Sequence, residues 1–425
     1  MNLALVSFYI LLLFLPSQLG RHFFPNFSLV SGVISDYLIP VFYFTDFLII
    51  LTIFLYILEN WHNWLRPKYS SWAILILTVL IYLFFNSTVI ASNKWVAVYK
   101  MVKIAEFILL GHVVYRLKPK LLSVLSVLSI CTVYSSVLSV WQFVSQKSVG
   151  GLFYWLGERT FSSNTPGIAV FSLNGQLILR SYATFPHPNV LGGFLAILLP
   201  AFLFLLINRK KMKIEMRGYY WFLFALTLGI VSLVLTFSRA AWIITLLGFF
   251  LVVMQKKKVD LLNILKNKNL VLFLFYTLMF LSVFTLLVFP QGEKIIGGKS
   301  WSQRAVLDKT ALVLTLQHPL LGIGLNNFVV QAHSVINNYS DIYLLQPVHN
   351  FYLLILVETG LIGFAIFLLF IDLVLDWSIK SGLIVLIIEL LLFSLGFFDH
   401  YLFTLQQGQL FFTIFTSLAL IPRKI

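Results

Sequence analysis

The sequence predicts an all-α, polytopic membrane protein with about twelve spanning helices. Three observations carry that expectation. Apolar residues fill 60% of 425 positions and charged residues only 11%, against roughly 25% charged in a soluble globule. That leaves too few polar side chains to cover a water-facing surface. The apolar residues come in runs of about 20, the length needed to cross a bilayer. The Lys and Arg residues behind the net charge of +15 cluster in short segments between those runs. Membrane topology puts them there, so no nucleic-acid partner is expected. The single cysteine, Cys131, lies in an apolar run and excludes internal disulfides and cysteine-based zinc sites.

In chain order the spans centre near Leu11, Ile49, Leu80, Phe107, Leu128, Ile197, Leu228, Leu247, Met279, Val357, Ile388 and Ile414. The first run, Leu3 to Pro16, lacks a basic n-region and an A-x-A cleavage site, so it reads as a helix and not a signal sequence. Twelve spans bring both termini to one side. The short loops on that side hold more than half of the 30 basic residues. They include Arg66 and Lys68, Arg116 to Lys120, Arg209 to Arg217, Lys256 to Lys268, Lys380, and Arg423 with Lys424. The bias places both termini in the cytoplasm. The chain reads as a single transmembrane domain over 1–425 with two long outer loops. These are residues 146–187 and residues 290–348, the second between spans nine and ten. Loops of that length without a function of their own are uncommon. No internal repeat is visible, so a repeat-built transporter gains no support.

The polar residues of the outer segments carry the chemistry. The first long loop ends in Arg180-Ser-Tyr-Ala-Thr-Phe-Pro-His187-Pro-Asn189. Two prolines around His187 keep the chain extended or turning, and Asn189 is placed either to cap the next helix or to face a ligand. Next comes Thr236-Phe-Ser238-Arg239-Ala-Ala-Trp242, a very short outer turn. Arg239 there is either an interfacial anchor or a fixed guanidinium facing an anionic headgroup, since its planar fork binds two phosphate oxygens. Ser300 to Leu314 reads as a short amphipathic helix, capped by Ser300 or Ser302. In it Arg304 and Asp308 stand four apart and are able to pair. His318-Pro-Leu-Leu-Gly322-Ile-Gly324-Leu-Asn-Asn-Phe328 reads as a tight turn on the membrane surface. The loop closes on His349-Asn350, which opens the tenth span. The positive helix end there disfavours imidazolium, leaving a His able to accept a proton. Glu358 lies about 13 Å deeper and is either functional or a protonated interhelical partner. Lys100, Lys103 and Glu106 share one face of the fourth span, as a structural ion pair or as part of a cavity for a lipid diphosphate. None of the eight histidines forms a His-x-x-x-His or His-Glu-x-x-His motif, so neither a metal site nor a cofactor is expected.

These elements together resemble the O-antigen ligase and O-antigen polymerase superfamily. The matching pieces are Arg180 to Asn189 with Gly192, Ser238-Arg239-Ala-Ala-Trp242, Ser302-Gln-Arg304, His318 to Phe328, and His349-Asn350 with Glu358-Thr-Gly360-Leu-Ile-Gly363. They fall in the family's order over roughly residues 180 to 365. Asp308 departs from the pattern, at a position where an aromatic is common. The resemblance implies a C-type membrane glycosyltransferase fold whose long outer loop contains short helices. It implies metal-independent transfer of glycan from an undecaprenyl-diphosphate carrier to a glycan, lipid or protein acceptor on the outer, periplasmic face. By motif position it implies catalytic roles for Arg239, Arg304 and His349. Substrate binding falls to Arg180, His187, Asn189, Asn350, Lys100, Lys103 and Glu358. A repeat-unit polymerase is the alternative within the enzyme class, and a solute transporter or flippase the alternative outside it. Attack opposite the diphosphate would invert the anomeric centre, with guanidiniums stabilising the leaving charge and His349 taking the hydroxyl proton.

Overall fold

The computed structural model describes residues 2–61, 71–256, 267–288, 299–336 and 344–421. The inner-loop cations Arg66, Lys68, Lys257, Lys258, Lys266, Arg423 and Lys424 lie outside the described residues, as does the Gly297-Gly298 turn.

Each of the twelve expected centres falls on a helix. The first six are Leu3–Leu13, Phe44–Glu59, Ser71–Phe85 with a π-helical turn Asn86–Ile90, Lys94–Leu117, Leu121–Ser145 and Pro188–Ile207. The rest are Met216–Leu235, Arg239–Lys256, Lys268–Val288, Phe351–Ser381, Leu383–Leu395 and Gln406–Ala419. Among the described residues, four helices are long and apolar enough to cross a membrane: Leu121–Ser145, Pro188–Ile207, Met216–Leu235 and Phe351–Ser381. Several others are shorter. The 13 residues of Leu383–Leu395 rise only about 20 Å, against about 30 Å of hydrocarbon.

Helix Pro188–Ile207 sits at the centre, against Leu121–Ser145, Met216–Leu235, Arg239–Lys256, Leu383–Leu395 and Gln406–Ala419. Most of its apolar length is buried, because it has neighbours on every side. Small residues permit the approach. A Cβ on Gly192 would lie 2.9 Å from the Ala241 Cβ, and one on Gly193 would run into the Tyr401 ring. The N-terminal end of this helix is therefore held beside the adjoining ends of its neighbours, where Arg180, His187, Asn189 and the turn before Arg239 meet.

The connecting segments are not purely helical. Among the described residues, three two-stranded antiparallel pairs occur: Gly20–His22 with Val41–Tyr43, Leu29–Val30 with Val33–Ile34, and Val170–Leu173 with Gln176–Leu179. The last turns through Asn174 and Gly175, at φ 50 and 81. Asn-Gly with both residues left-handed suits a two-residue hairpin turn. An all-α expectation passes over that signal.

Two further expectations are corrected. Ser300 and Ser302 do not precede the outer helix as caps, because the helix Lys299–Gln317 already contains them. The turn Pro319 to Phe328 is exposed only at its start, at Pro319 and Leu320; from Gly322 on it runs into the protein, with Ile323, Leu325 and Asn327 buried. The reason is a break in helix Phe351–Ser381 at Gly360, with φ 62 and ψ −174. A broken helix leaves N–H and C=O groups without partners, and apolar surroundings make that costly. The turn supplies the partners. Ile323 N donates to Val357 O at 3.0 Å, Gly324 N to Glu358 O at 3.0 Å, and Leu361 N to Pro319 O at 2.8 Å. Asn86 closes the junction: its Nδ2 donates to Leu321 O at 2.9 Å and to Glu358 O at 3.2 Å, and its Oδ1 accepts from Leu325 N at 2.8 Å.

Candidate active site

The outer helix ends build the site. His187 caps helix Pro188–Ile207, its Nδ1 accepting from Asn189 N at 3.1 Å with Pro188 in the first helical position. The ring has to be neutral, with its Nδ1 lone pair free, for that role. Burial holds its pKa down to about 3, with Arg180 pushing the same way and Asp399 opposing. Because His187 is the cap, the Asn189 amide is released from the capping role the sequence suggested. It bridges two charged groups instead: Oδ1 accepts from Arg180 Nη2 at 2.7 Å, and Nδ2 donates to Asp399 Oδ2 at 3.0 Å. Arg180 is fixed a second time, its Nε donating to Thr236 O at 2.7 Å. That carbonyl lies in the short turn before Arg239.

Asp399 is the hub. It stands with His400 in the outer turn between Leu383–Leu395 and Gln406–Ala419. Its Oδ1 accepts from the His400 backbone N–H at 2.8 Å. The same oxygen lies 3.4 Å from His349 Nδ1 and 3.8 Å from His400 Nε2. The rings of His349 and His400 are 5.1 Å apart, and Tyr37 packs edge-on against His400. Burial pushes the Asp399 carboxyl up. The hydrogen-bonding contact with His349 and the field of the neighbouring basic groups, Arg304 among them, outweigh this and hold it well below the usual carboxylate range. It is therefore an anion at neutral pH. Burial lowers His400 to about 3, opposed by Asp399, so its imidazole stays neutral.

Three arginines share this field. Burial draws Arg180 down to about 10, still cationic at neutral pH; Arg304 and Arg239 add to the shift, and Tyr182 and Asp399 oppose it. Arg239 is exposed and opens helix Arg239–Lys256. Arg304 projects from helix Lys299–Gln317, and no ion pair joins it to Asp308 among the described residues. Asp308 turns inward instead: it is buried, its Oδ1 has no hydrogen-bond partner, and burial raises it to about 7 against the pull of Arg304.

The other candidates hold the frame. Asn350 caps helix Phe351–Ser381, its Oδ1 accepting from Tyr352 N at 3.0 Å and Leu353 N at 3.1 Å. This leaves His349 one residue outside the helix. Glu358 is buried, and its carboxylate accepts from Asn326 N at 2.8 Å and Phe328 N at 3.4 Å, binding the inserted turn to the broken helix. Lys103 pairs with Asp46 at 2.5 Å and Glu106 at 2.9 Å. Lys100 Nζ donates to Phe403 O and lies over the Phe403 ring, in the turn that follows His400.

Asp399 and His400 are the residues that sequence reasoning missed. The signal present was an adjacent acid and histidine in an otherwise apolar C-terminal stretch, at the outer end of two spans. The expectation of no metal site rested on local spacing. Here His349, Asp399 and His400 come from two distant segments, so spacing carries no information about them. Chemically, the constellation offers one fixed guanidinium, Arg180, suited to a polyanion, and an imidazole beside a carboxylate that can orient it.

Comparison with protein families gives one match. Residues 222–368 match the family model described as O-antigen ligase. The resemblance to the O-antigen ligase and polymerase superfamily therefore holds over that stretch, which contains Arg239, Arg304, His349 and Asn350. Arg180, His187, Asn189, Asp399 and His400 fall outside it. No curated protein matches the chain.

Proposed function

We propose that this chain is a membrane glycosyltransferase. It moves glycan from an undecaprenyl-diphosphate carrier to an acceptor hydroxyl at the outer face of the cytoplasmic membrane, without a metal. The proposal includes twelve spans with both termini cytoplasmic, which puts Arg180, Arg239, Arg304, His349 and Asp399 at the outer surface. The observation that carries it is Arg180 tied through Asn189 to Asp399, whose other oxygen lies 3.4 Å from His349 Nδ1; Arg304 and Arg239 add positive charge around Arg180. A diphosphate leaving group gathers negative charge as its bond to the anomeric carbon breaks, and preorganised guanidiniums stabilise that charge without reorganising.

The acceptor oxygen attacks the anomeric carbon from the face opposite the diphosphate. The carbon–oxygen bond to the carrier breaks with its electron pair leaving on the phosphate, and the configuration inverts. The hydroxyl proton passes to the His349 nitrogen opposite Nδ1. Asp399, beside Nδ1, orients the ring and stabilises the imidazolium that forms. Arg180, tied to Asp399 through Asn189, links the phosphate-binding side to the base.

The buried charges that would favour a transporter have protein partners. Lys103 pairs with Asp46 and Glu106, and Glu358 with backbone amides. Such pairing supports a structural role for them. The test uses purified protein, a polyprenyl-diphosphate glycan and glycan, lipid or protein acceptors, with chelator present. Product on one acceptor is expected, and its length distribution separates single transfer from polymerisation. Absence of transfer to every acceptor, with uptake of solute into sealed vesicles, overturns the reading.

A further inference from the structure

We infer that His349, Asp399 and His400 form a binding site for Zn²⁺, and that the bound metal switches off the proton acceptor. The regulatory half rests on the function proposed above; the metal site itself does not.

The donor set is two imidazole nitrogens and one carboxylate oxygen, all within 4.8 Å of one another. In a tetrahedral zinc site with bonds near 2.0–2.1 Å, neighbouring donors stand roughly 3.3 Å apart. His349 Nδ1 and Asp399 Oδ1 are 3.4 Å apart, already at that spacing, and His400 Nε2 is 3.8 Å from the same oxygen. Three protein ligands leave a fourth position for water, as in open zinc sites.

The nitrogens are available. His400 Nε2 and His349 Nδ1 are buried, and both face the Asp399 carboxylate with no closer hydrogen bond engaging them, a state that is otherwise costly for buried polar atoms. The His400 ring is held from behind. Its Nδ1 contacts Thr404 Oγ1 at 2.6 Å, while the Thr404 hydroxyl donates to the His400 carbonyl at 3.2 Å. In the tautomer with the proton on Nδ1, that contact is a donation to Thr404 Oγ1 and Nε2 presents its lone pair to the cluster. Metal-ligating histidines characteristically give the remote N–H to an oxygen in this way. The far carboxylate oxygen is held by Asn189 Nδ2. Nearby guanidiniums oppose any dication, so the occupant needs strong affinity for imidazole. That favours zinc over magnesium or calcium, which prefer oxygen.

The consequence follows from imidazole chemistry. A neutral ring metallated at Nδ1 carries its only proton on Nε2 and has no lone pair left to accept another. Zinc would therefore inhibit transfer without blocking the arginines.

The experiment titrates Zn²⁺ into the purified full-length protein against a chromophoric chelator. One equivalent retained by the wild type and lost in both His400→Gln and Asp399→Asn supports the site; equal retention in all three overturns it. A variant that failed to fold would also lose zinc, so zinc-edge absorption on the wild-type protein gives a second reading. Scattering from two imidazoles supports the site, and an all-oxygen shell overturns it. In the transfer assay, zinc is expected to cut the wild-type rate at least tenfold, reversibly by chelator. Zinc retention without inhibition overturns the switch. Transfer by a protein that retains no zinc overturns the site and leaves the proposed function standing.

Discussion

At the residue scale, the proposed mechanism turns on Asp399 as an orienting anion and His349 as the base. Asp399→Asn keeps the size of the side chain but loses the charge that steadies the imidazolium. It is expected to lower transfer about 10²–10⁴-fold, and His349→Ala by a similar factor. Groups that act as a unit are not additive, so the double variant should be little worse than either single one. Multiplying losses in a kinetic assay would show that the two act separately. Arg304→Lys keeps charge but loses the bidentate fork, and a drop of at least tenfold in transfer is expected; full activity would make Arg304 a surface anchor. Asp308 gives a pH signature. Its folded pKa, near 7, stands above the ordinary carboxylate value. A carboxyl raised in this way favours the folded state at low pH, and that contribution is lost as pH rises from about 4 through 7. Asp308→Asn removes the loss. The variant's stability advantage should open across that window and flatten above it, reaching at most ~4 kcal/mol for a shift of about three units. Melting curves at pH 4.5, 6 and 8 check this, and a pH-independent gap would contradict it.

At the element scale, the broken helix Phe351–Ser381 and the turn inserted against it form one device. The break frees backbone groups, the turn pairs with them, and Glu358 and Asn86 fasten the two. His349 and Asn350 stand at the N-terminal end of the same helix. Gly360 is required twice over. Its φ of 62 belongs to the left-handed region, and a Cβ there would lie 2.5 Å from the Leu320 carbonyl carbon. Gly360→Ala is expected to cost several kcal/mol, to lower the melting temperature and to open residues 319–328 to protease. Unchanged protease resistance would mean that the turn is held elsewhere. This device also explains two motifs. Gly322-Ile-Gly324 and Glu358-Thr-Gly360 looked in the sequence like a surface turn and an isolated intramembrane acid; they are the two halves of one joint.

At the scale of the whole molecule, the proposed topology is directly testable, because the only cysteine, Cys131, is buried. Ser172→Cys on the hairpin and Lys211→Cys in the basic loop both place a thiol at an exposed position. An impermeant maleimide added outside intact cells should label the first and not the second. The reverse pattern would invert the orientation and remove the outer-face site. The sequence by itself determined where apolar helices would lie, the clustering of basic residues between them, and the motifs around the arginines and His349. Composition, run length and local motifs are properties of contiguous residues, so they are legible in one dimension. Only the tertiary structure decided that His187 is the cap and Asn189 the bridge. The same holds for the partners of Lys100, Lys103 and Glu358, and for the meeting of Asp399 and His400 with His349 some fifty residues earlier. Those outcomes depend on which helix ends the central Pro188–Ile207 helix gathers together, and packing across the bundle fixes that, not any pattern along the chain.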